Sequence, residues 1–255
     1  MSTVDIIGFV LMAGVAAYVQ TLTGFAFGLL LMGGVGLTSV MPLRDAAVVT
    51  GVLTLVNAAI MMMKGWRHVM RGELVLVLCS SLPTLVAGYF LLDHLAANGL
   101  VYLRIILGVV IIISALQLVF QPKKEEREAT RASFVFYGAF SGIMSGLFST
   151  SGPPLVYHFY RQPLPLAAIR ETLVAIFSLN ALLRLAVVIG DGTFPDRHYW
   201  PAFLAIITVS AGTQMARRLP LPLSPRTLKL IVFLLLCASG ASLALPAIPR
   251  ALAGS

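Results

Sequence analysis

Two short stretches carry most of the polar atoms this apolar chain has for chemistry. They are Gln20-Thr21-Leu22-Thr23-Gly24-Phe25 and Ser149-Thr150-Ser151-Gly152-Pro153. Each interrupts an apolar run, and each places hydroxyl side chains just before the point where a new helix must start. A helix starting there has unpaired first N–H groups and the positive end of its dipole at the break. Such an end binds the oxygens of a small anion, such as a carboxylate. Gly24 and Gly152 let backbone approach a ligand closely. Pro153 suits a first helical turn, where an N–H is not needed. Thr21, Thr23, Ser149, Thr150 and Ser151 add hydroxyl donors, and Gln20 and Phe25 flank the first break. The expected chemistry is reversible binding of a small anion, with both breaks lining one anion-sized cavity.

Other polar residues support this set or stand apart from it. Asn57 and Asn180 fall near the centres of two apolar segments, where an unbonded amide is costly. They either line the anion site or tie helices together. Arg44-Asp45 and Arg170-Glu171 open two segments, with the acids suited to positive helix ends. Arg184 lies about six residues inside a helix end and is expected to snorkel to the interface. His68, His94, His158 and His198 are scattered, and Cys79 and Cys237 sit in apolar runs without a CxxC pattern. No metal site, disulfide or cofactor is therefore expected. Neither a Walker motif nor a mid-membrane nucleophile with a base is present, so no catalytic residues are assigned and the chain is not expected to be an enzyme.

The elements that position these residues follow from composition. Of 255 residues, 58% are hydrophobic and 11% charged, against ~25% charged in soluble domains. Mean hydropathy is +0.94. A soluble fold of this size cannot hide so much apolar surface, so lipid is the solvent. The net charge of +8 reads as basic cytoplasmic loops; with no aromatic interleaving, nucleic acid is not an expected partner. The start of the chain has no Lys or Arg before its apolar run and is expected to be retained rather than cleaved. The apolar runs do not alternate, so they read as helices and not as barrel strands. Ten segments emerge, near 4–20, 25–41, 45–63, 73–92, 101–120, 133–148, 153–162, 169–190, 200–216 and 227–247. The seventh is about half a membrane thick and stops at Pro163 and Pro165, which block helix continuation.

Charge orients the chain. With 64–72, 121–131 and 217–226 in the cytoplasm, thirteen of the 18 Lys and Arg lie inside and both termini lie outside. The second half echoes the first at an offset near 124: Asn57-Ala58 with Asn180-Ala181, Arg44-Asp45 with Arg170-Glu171, and Ala87-Gly88 with Ala211-Gly212. Corresponding loops fall on opposite sides of the membrane. The expected fold is an all-α polytopic membrane protein with two inverted-topology repeats of about five apolar segments each. The first two segments of each repeat form a broken or re-entrant hairpin. Residues 1–120 form the first repeat, 121–131 a charged cytoplasmic linker and 132–255 the second repeat.

The runs Gln20-Thr21-Leu22-Thr23-Gly24-Phe25-Ala26-Phe27-Gly28-Leu29-Leu30 and Gly142-Ile143-Met144-Ser145-Gly146-Leu147-Phe148-Ser149-Thr150-Ser151-Gly152-Pro153-Pro154 resemble the sulfite exporter TauE/SafE family of membrane permeases. The likeness covers nearly the whole chain in length and layout. The chain departs from the family's Gly-rich breaks at Ala26-Phe27 and at Ser149-Thr150-Ser151. The resemblance implies a secondary transporter in the bacterial inner membrane that moves a small sulfur-bearing anion, such as sulfite or an organosulfonate, by alternating access. An anion channel and, further off, an intramembrane enzyme are the competing readings. Transport of this kind is compatible with proton or ion coupling and with a homo-oligomer.

Overall fold

The chain folds as helices throughout the residues that the computed structural model describes, 2–119, 129–218 and 225–249. Helices α1 (Thr3–Thr23), α3 (Leu43–Gly65), α4 (Arg71–Asn98), α5 (Leu100–Val119) and α8 (Leu166–Gly190) are long and apolar enough to cross a membrane. Helix α6 (Arg131–Phe148), α9 (Ala205–Arg218) and α10 (Pro225–Ala244) complete the long elements. Helix α2 (Phe27–Thr38) and α7 (Pro153–Arg161) are short. At 1.5 Å per residue they rise about 18 and 14 Å, well under the ~30 Å hydrocarbon core.

The local sequence sets these ends. Ser2 and Asp5 cap α1 reciprocally, each side chain bonding the other's backbone N–H. α1 stops where Gly24 enters the left-handed region at φ 81°. Ala26 precedes α2 in the same region at φ 85°, which is unusual for a residue with a Cβ. Ser149 ends α6 at φ 52° and Gly152 opens α7 at φ 68°. Both expected breaks are thus present, each bounded by two residues of positive φ.

Two segments differ from expectation. The second, expected over 25–41, is a twelve-residue helix, because left-handed Ala26 and Ser39 bracket it. The ninth, expected from 200, begins as a 3-10 turn over Arg197–Leu204 and becomes α-helical only at Ala205. Pro201 within that turn has no N–H to give an α-helical ladder. Residues 121–128 of the charged linker, with Lys123, Lys124 and Arg127, and 219–224 of the loop after α9, lie outside the described residues.

The main packing pairs are α4 with α6, α1 with α9, α5 with α10 and α3 with α8. The α4–α6 contact is the closest. Gly138, Gly142 and Gly146, spaced by four, put one bare stripe of α6 against the α4 backbone. A Cβ at Gly146 would lie 2.6 Å from the Tyr89 backbone nitrogen and 2.7 Å from the Gly88 carbonyl carbon. Lipid tails are as apolar as leucine, so helix association here rests on this close van der Waals fit. One face of α1 is greasy: Val4, Ile7, Leu11 and Val15 make an exposed stripe along it, as a lipid-facing helix requires.

Candidate functional site

The two breaks meet. α2 begins against the loop that ends α6: a Cβ at Gly28 would lie 2.9 Å from Thr150 Cβ and 3.2 Å from the Ser149 carbonyl oxygen. Between them lies a small cavity lined by Gln20, Phe25, Ser149, Thr150, Ser151, Gly152 and Pro153 from the sequence-derived set. Gly28, Thr54, Val156 and Phe177 add further walls. The space measures about 20 Å³, enough for a water molecule or two. An anion of several atoms would need the walls to separate.

Each break is braced by specific bonds. The Gln20 amide is used at both ends: its Nε2 donates to Asn57 Oδ1 at 3.0 Å, and its Oε1 accepts from the Phe27 N–H at 3.1 Å. Gln20 thereby satisfies one of the four first N–H groups of α2, leaving Gly28 and Leu29 without an intrahelical acceptor. At the second break, Ser149 Oγ donates to the Ala47 carbonyl at 2.5 Å, and Ser141 Oγ donates to the Ser151 carbonyl at 2.6 Å. The Thr150 hydroxyl has no hydrogen-bond partner among the described residues and stands on the cavity wall. Its donor is therefore available to a ligand, whereas that of Ser149 is committed to backbone.

Asn57 and Asn180 lie behind the cavity. Asn57 Nδ2 donates to Thr213 on α9 at 2.7 Å while its oxygen holds Gln20. Asn180 Nδ2 donates to Ser151 Oγ at 3.2 Å while its oxygen accepts from Ser81 on α4 at 3.0 Å. Each asparagine is fully buried and ties one break to a helix of the other half. Their bonds are those of interhelical ties, which meet the cost of burying an amide.

Thr21, Thr23 and Gly24 are not on this cavity. The Thr23 hydroxyl lies 2.8 Å from both the Val19 and Phe25 carbonyls, to either of which it can donate, and accepts weakly from the Phe25 N–H; the Thr21 hydroxyl donates to the Ala17 carbonyl. Gly24 packs against Tyr160 and Arg170, whose Cγ would lie 3.0 Å from an added Cβ. Tyr160 donates its hydroxyl to the Thr23 carbonyl at 2.7 Å, and Arg170 bonds the Thr21 carbonyl. These three residues close α1; they face α7 and α8, not the second break.

Arg184 does not snorkel. It is 1% exposed, donates Nε to the Gly146 carbonyl at 3.1 Å, and lies 5.9 Å from the Tyr89 ring centroid. The α4–α6–α8 packing encloses it, and the Gly146 carbonyl gives it a partner near the C-terminal end of α6, where positive charge is favoured. Arg170 plays the same part for α1. Arg170, Phe177 and Arg184 recur every seven residues along α8, so one face of that helix carries a guanidinium to the carbonyls before each break, with Phe177 on the cavity wall between. The seven-residue spacing was present in the sequence, but only tertiary contact gives it a role.

The family profile described as Sulfite exporter TauE/SafE matches residues 9–243. The chain is also similar to the probable sulfite/organosulfonate exporter TauE of Cupriavidus necator, with 31% identity over 243 residues, covering 95% of each chain. No solved structure matches the chain. The extent of the family match, with five helices long and apolar enough to span, makes this a multi-pass membrane protein that belongs to the TauE/SafE sulfite exporter family.

Proposed function

We propose that the chain is a secondary transporter for a small sulfur-bearing anion, sulfite or an organosulfonate, which binds where the two helix breaks meet. The observation that carries this reading is the abutment of the α2 N-terminus on the Ser149–Pro153 loop, in a member of a sulfite exporter family. The anion's oxygens are held by the Gly28 and Leu29 N–H groups, by the positive end of the α2 dipole and by the Thr150 hydroxyl. Lysine takes no part, and Arg170 and Arg184 act one step away, fixing the carbonyls that precede the breaks. Gln20, Asn57 and Asn180 position the breaks through the bonds described above. No covalent step is required; transport needs the 20 Å³ space to widen first toward one side and then toward the other.

Two inverted repeats make that widening reciprocal. The main packing pairs support the repeat reading, because exchanging the halves maps them onto one another: α1 on α9 becomes α6 on α4, and α3 on α9 becomes α8 on α4. The positive-φ residues at the breaks also correspond in position, Gly24 with Ser149 and Ala26 with Gly152. Alternating access then follows from rocking one repeat against the other about a fixed site.

Thr150→Val tests the site. It keeps the shape of the wall and removes its free hydroxyl, so the Kd for sulfite should rise by the equivalent of about 0.5–1.5 kcal/mol, or up to ~3 where the anion is desolvated. Isothermal titration of the purified protein reads this directly; an unchanged Kd would place the anion elsewhere.

The proposed setting is the bacterial inner membrane, with both termini outside and 121–131 in the cytoplasm, from the bias of Lys and Arg. In a chain with Cys79 and Cys237 replaced by serine, Glu126→Cys should resist an impermeant maleimide in intact cells and react after permeabilisation. Ready labelling of intact cells would reverse the orientation.

A further inference from the structure

A second, larger cavity of about 250 Å³ lies beside the first break and does not include the meeting point of the two breaks. Thr21 lines it, one residue along α1 from Gln20, which lines the small cavity. One wall is polar, with Arg170 and Glu171 at the start of α8 and Arg217 at the end of α9. The other is apolar, with Met61, Met62 and Val174. Its charges are unbalanced. The Glu171 carboxylate is engaged by His68 Nδ1 at 3.1 Å. The Arg170 Nε is buried without a partner, although the same guanidinium bonds the Thr21 carbonyl. Arg217 spends one N–H on the Ile60 carbonyl at 2.7 Å, and a guanidinium has five.

We propose that this cavity is a docking site for an organic sulfonate or similar oxoanion with a short apolar tail, occupied before the anion reaches the breaks. The inference rests on the transport reading above and adds to it a second site and a preference. The planar fork of a guanidinium matches the oxygens of a sulfonate. The methionine wall adapts to an alkyl chain, so bare sulfite gains from the arginines alone. A longer tail gains about four-fold in affinity for each methylene it buries.

The test uses the purified full chain in nanodiscs, titrated with methanesulfonate and butanesulfonate. Butanesulfonate should bind more tightly than methanesulfonate. Arg217→Gln should weaken butanesulfonate binding about 10-fold or more. Arg218→Gln, a neighbouring charge that does not line the cavity, should change it by less than about two-fold. Ala167→Glu, which places a carboxylate at the cavity edge on an exposed turn, should weaken it as well and serves if Arg217→Gln does not fold. Gly28→Leu, which closes the space between the breaks, should remove any binding there and leave the Arg217-dependent share of butanesulfonate binding. Failure of the parental chain to bind butanesulfonate, equal effects of the Arg217 and Arg218 variants, or loss of the Arg217-dependent binding in a folded Gly28→Leu protein would each overturn the dock. Undiminished transport by Gly28→Leu alongside Arg217-dependent binding would instead overturn the transport site and leave the dock standing.

Discussion

Gly28→Leu is expected to reduce sulfite flux in proteoliposomes to the level of empty vesicles while the chain stays folded in the bilayer. Gly28 is an ordinary helical residue in the first turn of α2, so a side chain there meets no backbone penalty. What it meets is the second break: its Cβ would lie 2.9 Å from Thr150 Cβ and 3.2 Å from the Ser149 carbonyl oxygen. The remaining leucine atoms exceed the roughly 20 Å³ available between the breaks. Overpacking of this kind costs about 1–3 kcal/mol, which a bundle with this much buried packing should absorb by parting the breaks slightly. The first-turn N–H groups that would hold the anion are then covered by leucine. Gly152→Leu is a less informative variant, because Gly152 has φ 68° and an added Cβ would lie 3.0 Å from Met144 Cγ, so backbone strain and loss of the site would arrive together. The measurement pairs flux with a thermal unfolding midpoint. Parental flux from a folded Gly28→Leu protein would move the site away from the breaks.

The largest effect on the fold itself is expected from Gly146→Val. The neighbours of an added Cβ at this position are backbone atoms of α4 at Leu85, Gly88 and Tyr89. Backbone cannot rotate aside as a side chain can, so α4 and α6 must separate along the whole Gly138–Gly146 stripe. Separation also removes the Gly146 carbonyl from Arg184, leaving a buried guanidinium without its acceptor. Loss of one partner of a buried charge is itself severe. The combined cost should reach about 3 kcal/mol or more, read as a large drop in unfolding midpoint or as loss of the protein from membranes. Gly8→Val is the matched control: nothing lies within 4 Å of an added Cβ there, and its effect should stay within about 0.5 kcal/mol. Equal midpoints for the two variants would show that close α4–α6 approach does not hold the bundle.

The features behind these two effects have different origins. Composition alone determined that the chain lives in lipid, because 58% hydrophobic residues in 255 leave no way to cover the apolar surface with protein. Gly, Pro and charge punctuation gave the ten helical segments, and the two Gly-marked breaks emerged where Gln20–Phe25 and Ser149–Pro153 interrupt apolar runs, since helix termination is a local property of the backbone. The shortness of α2 was less legible: Ala26 takes a left-handed conformation that its residue type does not announce, stabilised by the Gln20 bond to Phe27. Which polar groups face one another was a matter for tertiary structure. Thr21, Thr23 and Thr150 are alike as sequence, yet two spend their hydroxyls on helix carbonyls and one is left facing the cavity. Arg184 read as an interfacial side chain by its distance from a helix end, but burial depends on what packs beside it, and α4 and α6 close over it. Hydrophobic periodicity and turn chemistry act over a few residues and are written along the chain. The contacts that join Gly28 to Thr150, or Asn57 to Thr213, span more than a hundred residues and exist only once the helices have packed.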